Sequence, residues 1–81
     1  MKMVKEGQIY RHFKGDLVKV LTVALDSETL EELVIYEHKD KIWARSLKMF
    51  ISKVDKQKYP NCKQEYRFEL INDWKNRRNY Y

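Results

Sequence analysis

The chain has 81 residues, 43% hydrophobic and 36% charged, with a net charge of +5 and a single cysteine, Cys62. A chain this short forms one domain that buries only about 60% of the surface its unfolded form exposes, and its composition is that of a folded protein, not a disordered one. One cysteine excludes an internal disulfide and an all-cysteine metal cluster, the first six residues lack the apolar run of a signal peptide, and no segment reaches the roughly 20 apolar residues of a membrane span; a cytoplasmic setting is expected.

In chain order, residues 8–14 read as a first strand ending at a turn on Gly15-Asp16. Period-two alternation puts Ile9, Arg11 and Phe13 on one face and Tyr10, His12 and Lys14 on the other; Phe13 is the expected inward side chain. Leu17–Leu25 and Leu33–Tyr36 are apolar on both faces and rich in β-branched residues, the pattern of central strands or of strands coiling through a small barrel. Between them Asp26 and Ser27 supply the side-chain acceptors of a glycine-free turn. A turn at 39–41 leads to a short strand, 42–46, and then to one helical turn at 47–50.

Residues 55–65 are polar and contain Pro60-Asn61, which marks a loop before a last strand over 66–71. The same region has a helical alternative over 64–78, because Tyr66, Leu70 and Trp74 recur at four-residue spacing. The expected architecture is a mainly β, SH3-like five-stranded antiparallel barrel with a short helical turn, occupying residues 1–71, followed by a basic aromatic tail, 72–81, with a helical alternative. Charge is uneven along the chain: residues 1–55 carry ten Lys or Arg against nine Asp or Glu, and residues 56–81 carry seven against three.

The spacing Gly7-x-x-Tyr10-Arg11-His12-Phe13-Lys14-Gly15, Ala24-x-x-Ser27-Glu28-Thr29-x-Glu31, Val34-x-Tyr36, Trp43-x-Arg45 and Met49-Phe50 resembles the family of small bacterial proteins known as domain of unknown function 1653. The resemblance runs from Gly7 to about Phe68 and implies a compact, mostly β domain; it brings no activity with it. This chain departs from the family pattern at Asp26, where His is usual, at Ser46, where Pro is usual, and over 36–43, which is shorter and lacks a Tyr-Gly pair.

Chemistry-bearing groups are few. His12, His38 and Cys62 lack the paired short spacings of a zinc site, and Gly7 and Gly15 are too few for a phosphate-binding glycine loop, so neither a metal nor a cofactor is expected. His12 oriented by Glu28 or Glu31, with His12 and Glu28 the favoured acid–base pair, is a constellation from which an enzyme could be argued, but no nucleophile is marked. The constellation that stands out is aromatic plus cationic. Phe13, Trp43 and Phe50 are assigned to the core, leaving Tyr10, His12, Lys14, Glu28, Tyr36 and Arg45 as a ligand-binding surface for a protein, peptide or small molecule. Arg45 is expected to pair with Glu28 or Glu31. The leading reading is a non-catalytic binding or regulatory module, monomeric or homodimeric, acting without a membrane. The second is a binder of single-stranded nucleic acid through Lys75, Arg77 and Arg78.

Overall fold

The computed structural model describes residues 4–73. Five antiparallel strands form one sheet: β1 (Gln8–His12), β2 (Leu17–Leu25), β3 (Glu32–His38), β4 (Lys41–Ser46) and β5 (Phe68–Asp73), in the order β4-β3-β2-β1-β5. The first four strands are a meander, and β5 returns to pair with β1. Among the described residues the sheet is open, with β4 and β5 at its edges, and does not close into a barrel. The one helix among the described residues is the single turn α1 (Leu47–Phe50), capped by Ser46, whose Oγ accepts from the Met49 amide at 3.1 Å. The last strand prevails over the helical alternative where the chain is described, although it starts two residues later than expected; the tail beyond Asp73 lies outside the described residues.

Each turn has a local cause. The first hairpin closes through His12 N–H to Asp16 O and Gly15 N–H to His12 O, both 2.7 Å, with Gly15 at φ 106°. That φ is open to glycine at no steric cost. In the second turn Asp26 Oδ1 accepts from the Glu28 and Thr29 amides at 2.8 and 3.1 Å, an arrangement that lets Leu30 take φ 63° without glycine. Lys39 and Asp40, at φ 53° and 64°, form a two-residue turn of the hairpin-favouring hand.

The sheet has one buried face. Tyr10, Val18, Val20, Val34, Tyr36 and Phe68 point toward Phe50 of α1, with Val4 closing the cluster. Phe50 is 1% exposed and stacks on Phe68 at a centroid distance of 4.1 Å, while Tyr10 meets it edge-on at 5.1 Å. Gln8 is the buried polar side chain of this layer. Its Oε1 accepts from the Lys5 amide at 2.8 Å and from the Tyr10 hydroxyl at 2.9 Å, which offsets the cost of leaving water.

The opposite face is only partly covered, and there lie Ile9, Leu33, Ile35 and the exposed Leu17 and Ile42. Strands apolar on both faces therefore belong here to an open sheet with an apolar outer surface. β1 is also turned relative to expectation: Tyr10 and His12 face the core side and Arg11 faces out. Of the three aromatics assigned to the core, only Phe50 is buried. Phe13 is half-buried just beyond β1, and Trp43 is 46% exposed because β4 is an edge strand with no neighbour on one side.

Between α1 and β5 the chain makes a narrow ribbon. Val54 N–H bonds Glu65 O, Arg67 N–H bonds Ser52 O, and Lys53 bridges Tyr66. The loop at its tip is organised by its own side chains. Asp55 Oδ1 accepts from the Gln57 and Lys58 amides, Lys56 Nζ reaches the carbonyls of Cys62 and Gln64, and Gln64 Nε2 donates to Arg11 O of β1 at 3.1 Å.

Candidate functional site

α1 packs on β3 and β4 and reaches Tyr10 of β1 and Phe68 of β5 through Phe50; a recess remains on the same face toward the first and third turns. There the sheet carries a pocket of about 140 Å³. Its floor is apolar, from Val18 of β2 and Phe68 of β5. Its wall holds two cations and two imidazoles: His12 comes from β1, Lys14 from the first turn, His38 from the end of β3 and Arg45 from β4, with Tyr36 between the last two. Asp16 is the one acidic residue that lines it.

Residues distant in sequence converge here because strand pairing puts them on one face. His12 is opposite Phe68 across β1 and β5, and Val34 is opposite Arg45 across β3 and β4, two residues from Tyr36 on the same side. Arg45 lies with its guanidinium carbon 5.4 Å from the Phe68 ring centroid, and its Nε donates a long hydrogen bond, 3.5 Å, to the Tyr36 hydroxyl. The aromatic face and the phenol hold the guanidinium in place while leaving its fork of donors unpaired with any carboxylate among the described residues. This corrects the expected pairing with Glu28 or Glu31.

The two histidines differ in role. Burial, then the positive charges of Arg45 and Lys14, lower the pKa of His12 from the ordinary 6.5. Its Nδ1 accepts from the Lys14 amide at 3.1 Å, so the neutral ring carries its proton on Nε2. His38 Nε2 is shielded from solvent, lies 3.3 Å from Asp16 Oδ2 and makes no hydrogen bond of good geometry. That contact links the first turn to the third across the pocket mouth.

Four of the six residues assigned to a ligand surface, His12, Lys14, Tyr36 and Arg45, thus line one pocket. Tyr10 does not. It is 3% exposed and belongs to the core beneath, and Tyr36, though it reaches the pocket, is itself buried and not an exposed contact. Glu28 stands in the turn after Leu25, at the far end of β2 from Asp16. At about 3.3 Å per residue the length of β2 places it roughly 25 Å from His12, which separates the acid–base pair from which an enzyme could be argued. Lys75, Arg77 and Arg78 lie outside the described residues. Sequence reasoning passed over Asp16 and Phe68 as site residues, and considered His38 only as a metal ligand; no cluster of three or more His, Cys, Asp or Glu among the described residues is arranged to hold a metal. Likewise, no helix among them is long and apolar enough to cross a membrane.

A second concavity, of about 710 Å³, opens on the other side of Lys14. Phe13 and Tyr59 meet edge-to-face in it at 4.9 Å, and Lys58, Lys63 and Glu69 surround them. Nothing in the polar composition of residues 55–65 signalled it, because Tyr59 reaches Phe13 only once the ribbon has folded back.

No curated protein and no solved structure matches the chain. A family model described as "Protein of unknown function (DUF1653)" matches residues 8–70. That segment takes in β1 through β4, α1, the ribbon and every residue lining the two concavities, and by it the chain belongs to the DUF1653 family.

Proposed function

We propose that this domain is a non-catalytic binding module whose ligand places a small anionic group, a phosphate or a carboxylate, in the pocket beside Arg45. The observation that carries the reading is the convergence of two cations, Lys14 and Arg45, and two imidazoles, His12 and His38, from four separate elements on an apolar floor, with Asp16 the one carboxylate beside them. Positive groups held near low-dielectric walls attract an anion more strongly than the same groups in open solvent. A pocket of about 140 Å³ suits a group of a few heavy atoms rather than a whole metabolite.

Calorimetric titration with inorganic phosphate and with acetate tests the proposal. Arg45→Met keeps the apolar stem over Phe68 and removes the charge. It is expected to weaken phosphate at least about tenfold, the size of one lost charge-assisted hydrogen bond. Arg45→Lys, which keeps charge without the planar fork, should fall between the two. Equal affinity in all three proteins would refute the site.

A further inference from the structure

Rings and cations continue outward from the anion pocket in an unbroken series. Phe68 meets His12 at 5.0 Å, His12 meets Phe13 at 4.5 Å, and Phe13 meets Tyr59 at 4.9 Å. Cations accompany the rings: Arg45 over Phe68, Lys14 5.9 Å from Phe13 and 5.6 Å from Tyr59, and Lys58 5.7 Å from Tyr59. Lys14 lines both the small pocket and the larger concavity, so the two form one track.

We infer that this track is a binding groove for single-stranded nucleic acid, with a backbone phosphate in the small pocket and the adjoining base on Phe13 and Tyr59. The inference rests on the anion reading of the pocket and adds the class of ligand that supplies the anion. Three features favour a nucleic acid strand. The larger concavity is open and shallow, which suits a polymer passing over it better than an enclosed metabolite. Its two rings are only half-buried and lie under the ammonium groups of Lys14 and Lys58; a stacking base takes the ring face and frees the ammonium for the neighbouring phosphate. Lys14, Lys58 and Lys63 outnumber the one carboxylate, Glu69. An acidic peptide would use the lysines but would leave the ring faces idle.

The test is fluorescence anisotropy with labelled mixed-sequence DNA and RNA 12-mers on the full chain at two salt concentrations, beside a phosphate titration followed at His12 and His38. Tyr59→Ala is expected to weaken the oligonucleotide about tenfold, the loss of one stacked base, while Tyr59→Phe retains it and both leave phosphate binding unchanged. Lys58→Ala with Lys63→Ala should reduce the slope of log K against log salt by about 1.4, at roughly 0.7 per phosphate contact on single strands. Three results would overturn the inference. One is oligonucleotide binding absent at low salt while phosphate still perturbs His12 and His38, which leaves the anion pocket standing alone. Another is binding insensitive to these variants but abolished by Arg77→Ala with Arg78→Ala. The last is equal competition by a poly-glutamate chain of the same charge.

Discussion

At the scale of single residues, His12 reports most directly on the pocket. Its pKa is lowered by burial first and then by Arg45 and Lys14, with Asp16 opposing and Arg67 adding slightly. Removing the guanidinium in Arg45→Met should therefore move the His12 titration back toward 6.5, and bound phosphate should move it the same way by supplying an opposite charge. Proton NMR of the imidazole across pH 5 to 8 reads both; a titration unmoved by either would mean that Arg45 and His12 do not share a field. The sign for stability follows from the same shift. Between pH 6.5 and the lower folded value the unfolded chain binds the extra proton, so stability falls as pH drops through that window and loses nothing further from this group below it. His12→Gln should flatten that part of a plot of urea midpoint against pH. Asp26 acts in the opposite range: amide hydrogen bonds from Thr29 and Glu28 lower its pKa, so its contribution is present above its ordinary value and lost as pH falls through the acid range.

At the scale of elements, the turns carry the strain and the strands carry the legibility. Asp40 sits at φ 64°, in a region costing an L-residue roughly 1–2 kcal/mol against the roughly 0.5–1 kcal/mol of entropy that glycine loses. Asp40→Gly should gain about 0.5 kcal/mol and raise Tm by roughly 3 °C, measured by thermal scanning; a lower Tm would mean the aspartate has a partner that the turn geometry does not reveal. The strands and α1 were readable from β-branched runs and turn residues because these are local signals. The facing of β1 was not. Alternation specifies which residues share a face, but each face of this strand mixes one aromatic with ionisable groups, so only pairing with β2 and β5 decides that Tyr10 goes in. Trp43 misled for the same reason, since its edge position depends on strand order and not on its own neighbours in sequence. His38, Asp16 and Phe68 joined the site through tertiary pairing that no spacing in the chain encodes. The two apolar faces that suggested a barrel need not both be buried, and among the described residues the outer one leaves Leu17 and Ile42 more than half exposed.

At the scale of the whole molecule, one small aromatic layer holds the sheet, the helical turn and the pocket floor together. Phe50 contacts Tyr10, Tyr36 and Phe68, and Phe68 in turn supports Arg45. Phe50→Ala should cost roughly 3 kcal/mol, a large share of the stability of a domain this size, and should weaken phosphate binding along with it. Chemical denaturation checks the first part, and a loss below about 1 kcal/mol would place the core elsewhere. The central claim is that residues from four elements form a single anion pocket. A phosphate titration followed by two-dimensional NMR, with the Arg45 Nε–H and the His12, Lys14 and His38 amides resolved, tests it most directly. The account predicts that these four signals shift together with one saturating curve and that Arg45→Met abolishes the common response; shifts spread over exposed lysines such as Lys19 and Lys41, with no common curve, would contradict it.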